Sequence, residues 1–512
     1  MKLLNDFSNY KSKYLINDLL SGLLVAIIAL PLSIALGLQS VPNEIGGGIQ
    51  MGIITAIVAG FIVSLFGGCK FQIGGPTAAF VVIIYGYLAD PNIGVAGLTL
   101  ATIIAGAILL LLGFLKCGSL VKYIPYPIVV GFTTGIGITL LTGQIQNFCG
   151  FTGGGVEFLE KIIGYAQSYK SFNLATFLIG LGTLALIIVI SKINKKLPSA
   201  FISIIVFTLL NVIIGGEKLG VTTIGSRYGE ISASINFFDF STLRNVKVLK
   251  IIVPAVVIAF LGMLESLLSV AVADGMTKQK SNYNQELRGQ GLANILSVLL
   301  GGLPATGAIA RTSANIDSGA KSPLAGTFHA IFLLIMYFLL MGVVKYIPLC
   351  ALAAVLINVS INICNPKLFI KMSKFSIKDS LILFSTMLLT VFFDLTYGVL
   401  GGFVVTIIAN ALNFKKPLKL DFSTSDNKAV IKVDGNLYFI NVHKLIKEIN
   451  GALKSVSELD VDFNNVLEID SSAIEKLAKC NNELKAKGKT LNILSYSDKI
   501  ASKMVNYYEY LA

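Results

Sequence analysis

The sequence predicts a polytopic α-helical membrane protein, about fourteen segments in a seven-plus-seven inverted repeat, followed by a small α/β domain. Three observations predict it. Only 13% of the 512 residues are charged against 54% hydrophobic, and mean hydropathy is +0.77, so a soluble surface of this size would be short of charge. Apolar stretches of spanning length recur from Asp18 to about Asn413. Two of the segments are short, and each is opened by a Gly/Pro-rich break at a matching place in the two halves.

Reading apolar runs against breakers places the segments near 19–40, 49–66, 76–88, 94–113, 124–144, 173–191 and 198–214. The second half falls near 251–273, 286–302, 305–316, 323–342, 346–361, 378–394 and 397–413. With residues 1–18 cytoplasmic, the inner loops hold Lys116, Lys122, Lys192, Lys195, Lys196, Lys278 and Lys280, then Lys367, Lys371, Lys374, Lys378, Lys415, Lys416 and Lys419. Short outer loops are nearly free of Lys and Arg, Lys345 excepted, so the positive-inside rule fixes the orientation. The longer connections, 145–172 and 215–250, read as outer loops or surface helices. No small-residue cleavage site follows the polar N-terminus, so it is expected to be retained.

After Pro417 the pattern changes. Strand-like alternation runs over Ala429–Val433 and Leu437–Ile440, helical periodicity over His443–Leu453 and Ala473–Lys487, and a further strand over Thr490–Leu494. Residues 418–512 therefore form a separate α/β domain, and an even number of spans places it in the cytoplasm. The net charge of +13 does not indicate nucleic acid, because the lysines lie in clusters between apolar spans. The six cysteines have no metal-ligand spacing. Neither a nucleophile–base pair nor a phosphate-binding loop is legible, so no enzyme and no cofactor is expected.

The breaks are Gly74-Gly75-Pro76-Thr77-Ala78-Ala79, before the third segment, and Gly301-Gly302-Leu303-Pro304-Ala305-Thr306-Gly307-Ala308, before the tenth. A half-helix that starts at membrane depth leaves its first N–H groups unpaired and carries about half a positive charge there. Two such starts make an anion pocket from backbone, whereas kinks between ordinary helices are the plainer reading. Few ionisable residues fall inside the spans, and two of them stand out. Arg311 lies one turn inside the tenth segment and suits a fixed cation at the anion pocket, or a structural salt bridge to Glu265. Glu265, in the eighth, with Ser269 on the same helix face, suits a proton carrier or, with more oxygens, a sodium site, or else a carboxylate locked to Arg311 for packing. Pro31 is expected to kink the first span, and His329 to be a packed histidine. Asp274, Glu286 and Asp394 are expected as caps or loop contacts.

These residues together resemble the sulfate permease (SulP) family, known in animals as solute carrier family 26, over essentially the whole chain. The resemblance rests on Ser21-Gly22-Leu23 through Pro31 to Gly37, on Gly74 to Ala79, and above all on a run from Glu265 through Ala273-Asp274-Gly275 and Asn284-Gln285-Glu286-Leu287. That run continues through Gly289-Gln290-Gly291-Leu292-Ala293-Asn294, Gly301 to Gly307, Ala310-Arg311-Thr312 and Ala314-Asn315 to Gly319-Ala320. The C-terminal domain is similar to STAS domains, through what reads as the second strand ending in Ile469-Asp470-Ser471-Ser472-Ala473 and the helix after it. In soluble relatives a Ser at this junction is phosphorylated, so Ser471 or Ser472 is a regulatory candidate, with a helix N-cap as the alternative.

The resemblance implies a bacterial plasma-membrane homodimer with a core (spans 1–4 and 8–11) and a gate (5–7 and 12–14), working by elevator-like core motion. It implies anion contacts at Thr77, Ala78, Gly307, Ala308 and Arg311, with ion coupling at Glu265 and Ser269. Sodium-coupled members have Thr where Ile309 stands here, which favours a proton over sodium. The expected function is proton-coupled symport of a small anion such as sulfate, bicarbonate or a dicarboxylate. An uncoupled exchanger or channel-like conductance, and a membrane anion sensor with STAS output, stay open at this point.

Overall fold

The computed structural model describes residues 14–511 apart from 120–123, 156, 195–196, 230–231, 394, 411–417, 426–427, 454–457 and 486–487. Asp394, Lys122, Lys195, Lys196, Lys415 and Lys416, residues 1–13, and the boundary at 413–417 lie outside the described residues. Each of the fourteen expected segments holds a helix: α1 (Tyr14–Ser40), α2 (Gly48–Phe66), α3 (Ala78–Ala89), α4 (Gly94–Phe114), α5 (Tyr126–Cys149), α6 (Leu174–Ile193) and α7 (Ser199–Ile213). The second seven are α8 (Val248–Thr277), α9 (Tyr283–Leu299), α10 (Ile309–Asp317), α11 (Leu324–Val344), α12 (Leu349–Cys364), α13 (Ile377–Phe392) and α14 (Leu395–Asn410). Among the described residues, eight helices are long and apolar enough by length and composition to cross a membrane.

Contacts divide the chain into two compact units, Met1–Ser119 with Ile136–Ile363, and Leu120–Gly135 with Cys364–Ala512. In the first, α1 packs on α2, α3 and α11; α2 on α9 and α11; α4 on α8 and α9; and α8 on α10. Small residues let these backbones approach, as membrane helices require where lipid is as apolar as the side chains. A Cβ on Gly52 of α2 would run into the Ser33 carbonyl of α1, so this crossing admits only glycine. The longer connections, 145–172 and 215–250, contain short helices at Phe158–Gln167 and Ile224–Tyr228.

The second unit holds the start of α5, the packed pair α13 and α14, an unexpected amphipathic helix at Pro366–Ser373, and the soluble domain. That domain is a four-stranded sheet ordered β3 (Lys419–Ser425), β4 (Lys428–Leu437), β5 (Glu458–Ile469) and β6 (Thr490–Tyr496). The β3–β4 pair is antiparallel, while β4–β5 and β5–β6 are parallel. Buried Ala429, Ile431 and Val433 alternate on β4, Leu459, Val461 and Phe463 on β5, and both rows pack on α15 (Val442–Ala452), α16 (Ser471–Lys485) and α17 (Asp498–Leu511). Several expectations are corrected. The strands expected at Ala429–Val433 and Leu437–Ile440 are one strand ending at Leu437, with register shifts that break the alternation in its middle. β3 and α17 were not legible, because β3 is half polar and α17 mixes Tyr and Lys with its apolar positions. The strand ending in Ile469 is thus the third of the domain and not the second.

Candidate functional site

The two breaks meet. Gly74–Gly75 (β1) pairs antiparallel with Thr306–Gly307 (β2), Gly74 opposite Gly307 and Gly75 opposite Thr306. The helices that follow at once, α3 and α10, have 12 and 9 residues. At about 1.5 Å per residue neither spans a hydrocarbon layer of about 30 Å. The expected segment at 305–316 starts four residues late as a helix, because 306–308 are extended.

Extended backbone at this depth needs partners, and polar side chains supply them. Asn294 accepts from the Ala305 amide (2.9 Å) and donates to its carbonyl (2.9 Å). Ser297 donates to the Leu303 carbonyl (2.7 Å), and the Leu303 amide donates to Thr55 (2.6 Å). On the other arm, Thr312 accepts from the Ile73 amide (3.1 Å), and Asn315 donates to the Phe71 carbonyl (2.9 Å). Buried Glu286 accepts from the Gly68 (2.7 Å) and Cys69 (2.9 Å) amides, a loop contact as expected. Asp274 likewise accepts from Ser281. Glu286, Gln290 and Asn294 recur every four residues on one face of α9, a periodicity that sequence reasoning could have used and did not.

Neither short helix is capped by a side chain. The Gly307 amide donates to Ser266 Oγ (3.0 Å) and the Ala308 amide to the Ile73 carbonyl (2.9 Å). Two of the expected anion contacts therefore have their amides engaged by protein. The amides of Ala78, Ala79, Ile309 and Ala310 find no acceptor among the described residues. Ala78 and Ala79 are buried, whereas Ile309 and Ala310 are exposed.

Glu265 Oε2 accepts from Thr77 Oγ1 and Thr306 Oγ1, both at 2.8 Å, and the two hydroxyls lie 3.1 Å apart. Thr306, missed in the sequence, belongs here. Ser269 does not meet the carboxylate; its hydroxyl donates to Thr312 (3.3 Å). Arg311 is 2% exposed, and its Nη2 donates to the Pro76 carbonyl at 2.8 Å. Its Nη1 has no acceptor among the described residues. The hydrogen bonds of Glu265 and Arg311 thus run to Thr hydroxyls and to backbone, not to each other. Pro31 lies buried inside α1, and His329 is fully buried beside Gly60, a packed histidine as expected.

In the soluble domain, Ser471 and Ser472 are buried, and the N-cap role expected of them belongs to Asp470. Its Oδ1 accepts from the Ala473 amide (2.7 Å), and Oδ2 from the Phe439 amide (2.8 Å). Ser472 instead accepts from the Tyr126 amide (2.8 Å), an orphan donor in the first turn of α5. Burial, then the negative charge of Asp379, pushes the Asp470 carboxyl up from 3.8 to about 7. The folded domain thus binds a proton at Asp470 that the unfolded chain releases, so the contribution of this group to stability is fully present below about pH 4 and is lost as pH rises through about 7. Amide exchange of α16, corrected for intrinsic rate, should show that decline. Asp470→Asn keeps the bond from Ala473 and should be flat over the same range; an equal decline in the variant would assign it to another group.

The chain matches the sulfate permease family over residues 15–386 and the STAS domain over residues 419–507. The Bacillus subtilis protein YvdB, assigned provisionally as a sulfate transporter, is 34% identical over 95% of this chain and 92% of its own length. The bicarbonate transporter BicA of Picosynechococcus is 32% identical over 76% of this chain and 69% of its own. The solved transmembrane domain of a cyanobacterial BicA superposes with a TM-score of 0.65 at 28% identity, over 76% of this chain and 98% of that one. SLC26A9, at 17% identity, shares the fold with a TM-score of 0.71 over 99% of this chain and 89% of its own. This multi-pass membrane protein belongs to the sulfate permease family and carries a STAS domain after its helices.

Proposed function

We propose that the chain is a secondary transporter of small anions, sulfate or bicarbonate being the first candidates from the names of its relatives, and that it couples uptake to a proton at Glu265. The observation that carries the reading is the juxtaposition of two uncapped helix starts, a buried guanidinium and a carboxyl shared by two threonines. The helix starts and Arg311 attract an anion without any second cation. The anion then contacts Thr77, the amides of Ala78, Ala79, Ile309 and Ala310, and Arg311.

Coupling follows from the triangle at Glu265. Two hydroxyl protons are spread over three oxygen–oxygen contacts, so a proton on Glu265 completes the ring. An anion entering a negative interior climbs about 2.3 kcal/mol per charge per 100 mV, and each proton carried along cancels one charge of that work. In this reading spans 1–4 and 8–11 move as a core against spans 5–7 and 12–14, in a homodimer of the plasma membrane with the STAS domain in the cytoplasm.

Counterflow of labelled sulfate and bicarbonate into proteoliposomes tests it, with sodium replaced by N-methylglucamine. The expected result is anion counterflow that is indifferent to sodium, with net uptake driven by an inside-alkaline gradient. Absence of counterflow for every small anion defeats the transport reading. Counterflow without a response to pH assigns an uncoupled exchanger.

A further inference from the structure

A cavity of about 160 Å³ opens between the C-terminal end of α1, α3, α5 and the short helix Phe158–Gln167. It reaches down to Val81, one turn from the uncapped start of α3. Among the described residues it is lined by two cations, Lys161 and Arg227, and by no Asp or Glu. The rest of its polar lining consists of neutral groups such as Gln146 and Tyr85. Arg227 is exposed at the rim, whereas Lys161 is half-buried beside Gly143 of α5.

Among the described residues Lys161 has no carboxylate in contact with its ammonium, and burial draws its pKa below the usual lysine value. Neighbouring Glu160 is turned to its own helix end, where it accepts from the Glu157 amide at 3.3 Å. An ammonium taken partly out of water without a counter-charge is costly, and an anion in the cavity offsets that cost. Low-dielectric walls lined by one sign of charge also raise the local concentration of the opposite ion. The short loops that follow α1 and α3 at this end, 41–47 and 90–93, hold no Lys or Arg, and on the positive-inside rule the cavity faces the side from which uptake begins.

We propose that this cavity is a capture site for small inorganic anions, with Lys161 as its fixed cation, from which the anion is handed along α3 to the helix starts. The proposal rests on the transport reading for its purpose but not for its binding, and two measurements keep them apart. The first needs no transport. Full-length protein in detergent is acetylated briefly, and modification at Lys161 is compared by mass spectrometry with modification at exposed Lys170. Sulfate at ten times its dissociation constant should slow Lys161 roughly tenfold, by occupancy alone, and leave Lys170 unchanged. Gluconate at matched ionic strength serves as the control. If sulfate, bicarbonate and chloride all leave Lys161 as reactive as gluconate does, the capture site is overturned.

The second measurement is kinetic. Lys161→Gln should raise the KM for the transported anion roughly tenfold with Vmax kept, and should flatten its dependence on ionic strength. Lys161→Arg should restore both. A wild type that transports while Lys161→Gln keeps its KM sinks the capture site and leaves the transport reading standing. A wild type that moves neither sulfate nor bicarbonate counts against the transport reading, and the labelling then decides the capture site by itself.

Discussion

Glu265→Gln is expected to abolish anion uptake driven by a pH gradient while anion–anion counterflow persists. Gln presents an oxygen to the hydroxyls of Thr77 and Thr306 where the carboxylate now accepts two bonds at 2.8 Å, so the β1–β2 crossing and both helix starts keep their geometry. What it loses is the ability to take up and release a proton. With one proton per anion and no membrane potential, one pH unit of gradient supplies about 1.4 kcal/mol, a tenfold accumulation that the variant should lack. A dianion at −100 mV climbs about 4.6 kcal/mol unaided and about 2.3 kcal/mol with one proton, so under potential the variant should hold less sulfate at steady state than the wild type. Labelled uptake at a series of internal and external pH values, with counterflow run on the same vesicles, checks it. Gradient-driven uptake that survives in Glu265→Gln would mean that the carboxyl only braces the two threonines. Loss of counterflow as well would place it in the anion path.

How much of this could be read beforehand differs between the scaffold and the site. The fourteen helices were legible because apolar runs leave a long compositional trace between breakers, and the two short ones were marked by the Gly/Pro-rich segments that open them. The crossing of the breaks was legible in outline, since Gly and Pro at membrane depth must be excused by a cavity or by partners. The partners themselves were not. Thr306 was passed over as part of the break, yet its hydroxyl completes the Glu265 triangle. Ser269 was chosen because it shares a helix face with Glu265, but helical spacing says nothing of what another helix brings, and Thr312 claims it. The amides of Gly307 and Ala308 looked free because the break was read as isolated backbone, whereas antiparallel pairing and Ser266 engage them. In the soluble domain the cap was misplaced by one residue. Asp470 and the two serines after it are all competent caps, and only the direction of the chain leaving β5 selects among them.

Arg311→Gln should remove anion binding and leave the unliganded protein at least as stable as the wild type, and the two effects together identify the role of the guanidinium. Arg311 is 2% exposed, with one nitrogen on the Pro76 carbonyl and the other without an acceptor. A Cβ on Gly75 would collide with that second nitrogen, so glycine there is what admits it. The side chain therefore ties the start of α10 to the linker that enters α3, and holds its charge between them. A buried cation without a paired carboxylate lowers stability, so neutralising it offsets the loss of the Pro76 hydrogen bond, worth about 1 kcal/mol. For an anion the balance is opposite: at about 4 Å and an effective dielectric of about 20, the attraction is about 4 kcal/mol, and half of it retained after desolvation exceeds a factor of ten in affinity. Sulfate at a hundred times its dissociation constant should stabilise the wild type by about 2.7 kcal/mol, read as a rise in Tm in detergent. Arg311→Gln should show little or no rise at the same concentration, and Arg311→Lys a partial one, because an ammonium keeps the charge but not the two-pronged fork. A salt bridge serving packing alone predicts the reverse pattern: a lower Tm without sulfate, and an undiminished rise with it.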